Sequence, residues 1–382
     1  MTSALAHRDL FPQDEDFARK SGIFPAQWYE MAVQRKIITS LTPITEAQIQ
    51  PASIDLRLGK TAYRVPASFL PGPNCRVREK VEALALEKID LTEGAELKRN
   101  QVYLVELQEC IDLRKRMSGL ANPKSSTGRL DIFARVITDY ASEFDSIKER
   151  YRGPLWVEIA PRSFHGIVRT GSRLVQLRIK LGMPRPSERL HRDLHQENQV
   201  VMGEDDVDIR QRGISFSVDA EGDSISGLIG YKARKTDLSV DVDKINHYDR
   251  NDFWEPVIRP KSGGIILRPD EFHILASKET ITVPEDYAAD MIAYDTLVGE
   301  FRVHYAGFFD PGFGYSASGQ RYAKAVLEVR SHEVPFFMED GQIVGRLAFE
   351  RLTEKTNKPY GQSGMGSSYQ FQGLALSKHF KR

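Results

Sequence analysis

The chain has 382 residues, and its 53 Lys plus Arg balance 53 Asp plus Glu, so the formal net charge is zero. Two domains are expected at this length, and the charge balance disfavours a nucleic acid polymer or an anionic membrane as the partner. The two cysteines, Cys75 and Cys110, form neither a CxxC pair nor a disulfide framework, and no apolar run reaches membrane-spanning length. We therefore expect a cytoplasmic protein with no membrane contact.

The elements expected along the chain are mostly short strands. One amphipathic helix is predicted over Pro25 to Lys36, where apolar residues fall near helical spacing. Segments such as VYLVEL, GIVRTGSRLVQLRIKLG, GGIILRP and QIVGRLAFERL are β-branched or apolar and are interrupted by Gly, Pro or polar residues. This pattern is typical of a β-barrel or sandwich, so the predicted fold class is mainly β with a few short helices.

The segment from Pro123 to Arg129, KSSTGR after the proline, combines two cations with three hydroxyls and a glycine. Lys124 and Arg129 could bind phosphate oxygens, while Ser125, Ser126 and backbone amides donate hydrogen bonds to the remaining phosphate oxygens. A solvated loop has the same composition, so this alternative stays open. The spacing of a P-loop is absent.

A faint internal repeat has an offset of 170 residues. Leu97 and Leu267 each precede an alternating strand, and Gly171 and Gly341 each precede another. Several matches in unbroken register indicate duplication. The polar segment 183–208 reads as a linker with one short helix, and we place the domain boundary near residue 195, giving domains 1–195 and 196–382.

The repeat also relates two glutamates, Glu158 and Glu328, each within an apolar strand. A carboxylate facing a shielded pocket would have a raised pKa suited to a general base. A surface-facing Glu on a half-exposed strand is the commoner explanation of the same pattern.

Two further segments of the second half suggest a ligand pocket. Residues 308–314, FFDPGFG, form a turn signal with aromatic flanks, which could support a base or sugar or be a turn alone. The glycine-rich tail from Tyr360 to Gly373 could order over a ligand as a lid, or be a frayed terminus. No zinc signature of nucleobase deaminases is present, so we expect no zinc and no protein-built metal site.

In chain order, PASIDLRLG (51–59), the KSSTGR loop, the VLE strand, GQIVG and the tyrosine and glutamine tail resemble the motifs of dCTP deaminases. The resemblance covers residues 22–373 and indicates the long, duplicated form of this branch of the dCTP deaminase and dUTPase superfamily. It implies two tandem dUTPase-like domains, each a distorted β-barrel or jelly roll. The implied activity is zinc-independent hydrolysis of dCTP to dUTP and ammonia, which would feed dUMP and dTTP synthesis.

By this resemblance the loop residues contact the triphosphate through Lys124, Ser126 and Arg129, with lysine where the family has its first arginine. Ser125 would also hold the reacting water, and Glu328 would be the proton shuttle. Magnesium would be carried by the triphosphate, keeping most of its waters.

The resemblance also implies roles for the hairpin and the tail. Asp310 belongs to the family's Asp-Pro-Gly hairpin, and Tyr360 and Gln372 match tail residues that close over the nucleotide. The family's tail lysine is replaced near Ser368.

The two halves have complementary motifs, because the first lacks Asp-Pro-Gly and the second lacks the KSSTGR loop. We therefore expect one half to supply the loop and the other to supply the glutamate and tail, with Glu158 as the alternative base. Family members are trimers, and a homotrimer is expected here. A dUTPase, or a bifunctional enzyme that converts dCTP to dUMP, remains an alternative, as does a non-catalytic nucleotide sensor.

Overall fold

The fold is that of a computed structural model, which describes residues 20–184, 186–203, 207–210, 213–261, 263–293, 301–304, 307–315, 323–331, 334–361 and 369–381. We refer to residues 20–184 as the first half and to residues 186–381 as the second half. Strands predominate over short helices in both halves, so the predicted mainly β fold is confirmed.

In the first half the chain forms helices and strands with the following bounds. The helices are α1 (Ala26–Gln34), α2 (Val77–Leu84) and the one-turn α3 (Ser125–Gly128), with a 3-10 turn at Glu46–Gln48. The strands are β1 (Gly22–Ile23), β2 (Ile38–Ser40), β3 (Ile54–Leu56), β4 (Leu58–Val65), β5 (Glu87–Asp90), β6 (Ala95–Leu97), β7 (Val102–Asp112), β8 (Met117–Pro123), β9 (Ile132–Thr138), β10 (Ser146–Ile147), β11 (Arg152–Pro161), β12 (His165–Val168) and β13 (Val175–Leu181).

The second half begins with a helix and continues with strands. Its helices are α4 (Glu188–Asn198) and α5 (Arg250–Phe253). Its strands are β14 (Val201–Met202), β15 (Ile209–Arg210), β16 (Gly213–Ser217), β17 (Leu228–Ala233), β18 (Ser239–Asp241), β19 (Trp254–Ile258), β20 (Gly264–Leu267), β21 (Phe272–Ile281), β22 (Tyr287–Ala293), β23 (Phe301–His304), β24 (Phe308–Phe309), β25 (Lys324–Ser331), β26 (Phe336–Glu339) and β27 (Ile343–Arg351).

The larger sheet of the first half has the same strand order as its counterpart in the second half, and the second sheets correspond in their central strands, β13-β8 and β27-β22. One sheet runs β5-β4-β7-β11-β9 with β2 beside β7, and its counterpart runs β19-β17-β21-β25-β23 with β14 beside β21. A second sheet runs β1-β13-β8-β10 with β3 beside β13, and its counterpart runs β15-β16-β27-β22-β24. Glu158 lies opposite Leu104 and Glu328 lies opposite Ile274, so the register repeats at the offset of 170. The duplication predicted from the sequence is present as two tandem domains.

The segment between the halves contains the expected short helix, α4. The Ser187 hydroxyl caps it by accepting a hydrogen bond from the Leu190 amide, and Leu194 is buried in the second core. The His191 ring accepts a hydrogen bond from the Phe349 amide at 3.0 Å. Residue 195, where the sequence placed the boundary, therefore lies inside a helix whose contacts are with the second half.

The two halves share part of one hydrophobic core. Phe164 of the first half makes edge-to-face contacts with Phe253 and Trp254, and Phe380 near the carboxyl end packs on the same two rings. Strand β18 pairs in parallel with β12 of the first half. Because packed interiors resist deformation, this shared core fixes the position of one half against the other.

Candidate active site

A single cavity, called here the central cavity, brings loop residues of the first half together with strand, hairpin and tail residues of the second half. The sequence-predicted residues that line it are Lys124, Ser125, Ser126, Arg129, Asp310, Glu328, Tyr360 and Gln372. One chain thus places the cationic loop and the buried glutamate around the same space, although they are distant in sequence. Of the predicted site residues, Glu158 does not line this cavity.

The loop is held in place by bonds to neighbouring strands and to the tail. After β8 ends, residues 125–128 make one helical turn, and the Thr127 hydroxyl donates to the Leu174 carbonyl at 2.9 Å. The Ser377 hydroxyl donates to the Ser126 carbonyl at 2.8 Å. The Lys124 ammonium donates to Asp55, which keeps that side chain at the cavity wall. The loop is consequently an ordered part of the site.

Arg129 connects the loop to the carboxyl-terminal tail. Its side chain is buried, and its Nη2 donates to Gln372 Oε1 at 2.7 Å while its Nη1 donates to the Ala375 carbonyl at 3.1 Å. The guanidinium lies 3.9 Å from the centre of the Tyr369 ring, a cation–π distance. Its Nε has no hydrogen-bond partner among the described residues, so one donor remains for a ligand.

Glu328 is the buried acid of the central cavity. It lies in the middle of β25, with only 3% of its surface exposed. Burial raises the pKa of Glu328 to about 8, because a carboxylate loses hydration there, and the positive charge of Arg129 opposes this shift. A group with this pKa can both accept and return a proton near neutral pH, as a proton shuttle must.

Glu158, the counterpart of Glu328 in the repeat, has a different environment. It is also buried, but its Oε1 accepts hydrogen bonds from Arg135 Nη2 at 2.5 Å and Nε at 3.2 Å. The Arg135 guanidinium in turn lies 3.7 Å from the centre of the Phe144 ring. The carboxylate of Glu158 is therefore engaged in an ion pair with Arg135 and does not line the central cavity.

The Asp-Pro-Gly hairpin carries a second buried acid to the cavity wall. Asp310 lies near Arg178, with 3.6 Å between Oδ1 and Nη2, and burial raises the pKa of Asp310 to about 6 despite that cation.

Gly312, in the same hairpin, has a φ of +90° and lies against the backbone of Tyr360. Any Cβ at Gly312 would lie 2.9 Å from the Tyr360 nitrogen, so glycine is required by both conformation and space.

The described parts of the tail pack over this hairpin and over Arg129. The Tyr360 amide donates to the Pro311 carbonyl at 2.7 Å, and its hydroxyl accepts a hydrogen bond from the Tyr369 amide at 3.2 Å. The Gln372 amide nitrogen donates to the Lys324 carbonyl at 3.0 Å. The predicted replacement of a tail lysine near Ser368 lies outside the described residues.

Several cavity residues were not found from the sequence. Lys378 lies beyond the tail motif, and Gln176 and Met291 stand in ordinary strand patterns. Only the fold brings these three side chains to the loop. The aromatic walls, by contrast, include Phe308 and Phe313 of the hairpin that the sequence indicated.

The described residues contain no group of three or more His, Cys, Asp or Glu side chains placed to hold a metal ion. None of the helices within the described ranges is long and apolar enough to span a membrane.

Comparison with protein families identifies the chain. A model of the 2'-deoxycytidine 5'-triphosphate deaminase N-terminal domain matches residues 20–183, and a model of the C-terminal domain of the same enzyme matches residues 187–380. The chain belongs to the two-domain dCTP deaminase family. The resemblance read from the sequence is confirmed, and the two family models meet just before α4.

A solved structure and shorter relatives agree with this family. The crystal structure of 2'-deoxycytidine 5'-triphosphate deaminase from Agrobacterium tumefaciens is 49% identical, with a TM-score of 0.84 over 87% of this chain and 100% of that one. Proteins named "dCTP deaminase, dUMP-forming" from Mycolicibacterium vanbaalenii and Mycolicibacterium gilvum are both 34% identical. Those matches span 34% and 36% of this dCTP deaminase family member, and 65% and 70% of the respective relatives.

Proposed function

We propose that this dCTP deaminase family member hydrolyses the C4 amino group of dCTP, releasing ammonia and forming dUTP, without zinc. The observation that carries this proposal is the buried Glu328, whose pKa is raised to about 8, in the same cavity as Lys124 and Arg129. A carboxyl group near its pKa serves proton transfer at a base, while the cations suit a polyphosphate.

The nucleotide would lie with its phosphates at the loop and its base toward β25. Lys124, Ser126 and the free Nε of Arg129 would contact phosphate oxygens. The aromatic walls at Phe308 and Phe313 would cover the base. Magnesium would neutralise charge on the triphosphate and be held mainly by phosphate oxygens and water.

In the reaction, Glu328 would first remove a proton from a water molecule positioned by the Ser125 hydroxyl. The water oxygen would bond to C4 of cytosine as Glu328 delivers that proton to N3. Glu328 would then take the remaining hydroxyl proton and pass it to the amino group, which leaves as ammonia as the C4 carbonyl forms. The proton ends on N3 and the carboxylate is restored, so the cycle balances.

A second product is favoured by two observations. Relatives named "dCTP deaminase, dUMP-forming" are similar in sequence to this chain, and Asp310 adds a second buried carboxyl group to the cavity. A diphosphatase requires a carboxylate that activates water beside the α-phosphate, and Asp310 is the candidate for that role. The alternative function is therefore a bifunctional enzyme that continues from dUTP to dUMP and pyrophosphate.

For the assembly we propose a cytoplasmic homotrimer that binds dCTP and dUTP and no nucleic acid polymer. Three two-domain chains give six domains, the simplest closed arrangement for a fold that packs in threes. Sedimentation velocity of the purified protein tests this assignment, and a monomer that is active at assay concentration would refute it.

The activity is tested by incubating the purified protein with dCTP and magnesium, with and without phenanthroline. Nucleotides are resolved by anion-exchange chromatography, and ammonia is measured in parallel. Phenanthroline-insensitive formation of dUTP with one equivalent of ammonia is the expected result, whereas dUMP with pyrophosphate identifies the bifunctional enzyme. Binding of dCTP with no turnover of dCTP, dUTP or their lower phosphates would leave a nucleotide sensor as the function.

A further inference from the structure

The segment after Gln372 places a lysine at the wall of the central cavity. Lys378 lines the central cavity, and it also lines an adjoining cavity formed by the other side of the loop. Lys124 and Ser126 are shared by both cavities, whereas Glu328 lines only the first. Lys378 therefore stands beside the loop, at the junction through which a ligand could extend away from the buried acid.

The backbone around Lys378 is fixed by bonds to three separate elements. Its own amide donates to the Tyr369 hydroxyl at 3.0 Å. On one side, the Ser377 hydroxyl donates to the Ser126 carbonyl, and on the other, the His379 ring is 2.9 Å from the Val242 carbonyl. A residue anchored on both sides keeps its side chain directed toward one place at little further entropic cost.

The ammonium group of Lys378 has no ion-pair partner among the described residues. Two carboxylates lie near enough to influence it, Asp55 and Asp243, and both are already engaged. Asp55 pairs with Lys124 and lies 3.5 Å from Arg173, while Asp243 pairs with Arg169 at 2.6 Å.

This arrangement leaves a partly buried positive charge beside other cations. Loss of hydration and the nearby positive charge of Lys124 lower the pKa of Lys378. An unpaired, partly desolvated ammonium next to further cations is unfavourable in the free protein, and an anionic ligand would relieve it.

We propose that Lys378 binds the terminal phosphate groups of the nucleotide, in the space between the loop and the carboxyl-terminal segment. This inference rests on the proposed function, because it assumes a nucleoside triphosphate with its base at Glu328. The chain's last residues thereby become part of the substrate site, and they select for the length of the phosphate chain.

The test compares dCTP, dCDP and dCMP as substrates of Lys378→Met and Lys378→Arg. A lost charge-assisted hydrogen bond weakens binding by roughly 10- to 100-fold. Lys378→Met is therefore expected to lower kcat/KM for dCTP by that factor, with kcat and the value for dCMP nearly unchanged. Lys378→Arg should retain most of the preference for dCTP over dCMP.

Lys381→Met is the matched control, since Lys381 lies on the same segment but is exposed and lines neither cavity. The thermal midpoint of Lys378→Met should equal or exceed that of the wild type, which excludes misfolding as the cause of weaker binding. If Lys378→Met lowers kcat/KM equally for all three nucleotides, or does not lower kcat/KM for dCTP, the assignment of Lys378 is overturned. A wild-type protein inactive on every cytidine nucleotide would instead refute the proposed function.

Discussion

Replacing Glu328 with glutamine should abolish the shuttle while preserving the shape of the site. Glutamine has nearly the same volume but cannot take a proton from water, so kcat should fall by roughly 10²- to 10⁴-fold. The wild-type enzyme should show kcat/KM rising with pH up to about 8 and level above it, because the ionised form of Glu328 starts the reaction. The variant should lack this rise of kcat/KM with pH.

The same substitution should increase stability, by an amount that depends on pH. Folding raises the pKa of Glu328 from 4.5 to about 8, so the folded protein holds a proton that the unfolded chain releases above pH 4.5. Stability is therefore lost as pH rises from about 4.5 to 8, by roughly 5 kcal/mol at 1.36 kcal/mol per pKa unit. Glutamine does not ionise, so Glu328→Gln avoids this loss.

Thermal unfolding of both proteins between pH 5 and 9 measures the effect. The difference in Tm should grow toward pH 8, to on the order of 10 °C in favour of the variant, and then stay constant. Glu158→Gln is the matched control, since its carboxylate pairs with Arg135 outside the cavity, and it should retain activity. Full activity of Glu328→Gln would move the catalytic role to Glu158. A Tm difference that does not change with pH would refute the argument that burial raises the pKa of Glu328.

Three further substitutions test the geometry. Arg129→Lys keeps the positive charge but loses the two hydrogen bonds to the tail and the stacking on Tyr369. The kcat/KM for dCTP should therefore fall by about 10- to 100-fold, and wild-type kinetics would contradict this role of Arg129. Gly312→Ala introduces a side chain at positive φ against Tyr360 and should cost about 1–3 kcal/mol in urea unfolding, with unchanged stability as the contrary outcome. Asp131→Asn weakens the buried pair with Arg330 and should cost up to about 3–5 kcal/mol in the same assay and lower kcat, whereas an unaffected protein would show that this pair does not order the site.

Much of the fold could be predicted because duplication leaves a signal along the chain. The offset of 170 residues relates β7 to β21 and β8 to β22 by their positions along the chain. The domain boundary was harder to place, because α4 is polar on its exposed side and reads as a linker. Its attachment depends on Leu194 and His191, whose burial is a property of the tertiary structure.

The site was predictable where a motif carries its own chemistry. The KSSTGR loop and the strand with Glu328 have compositions that indicate phosphate and proton transfer, and the structure brings both to one cavity. The strand patterns alone could not choose between Glu158 and Glu328, since both stand in apolar strands, and the preference for Glu328 came from the family resemblance. Their difference arises from Arg135, which is 23 residues away from Glu158 along the chain and bonds to its carboxylate across paired strands. Lys378 had no local signal, because an isolated lysine near a terminus is ordinarily solvated.

The positions of the paired acids and cations explain how a duplicated chain can form one site from residues of both halves. In the first half, Arg135 neutralises Glu158, so that copy retains a buried glutamate as part of its own structure. In the second half, Glu328 is without such a partner among the described residues and faces Arg129 of the other copy. Arg330, two residues after Glu328, bonds to Asp131, two residues after Arg129. This buried pair ties the strand to the loop, so the distance between the acid and the phosphate-binding arginine depends on the contact between halves, and neither half alone could maintain it.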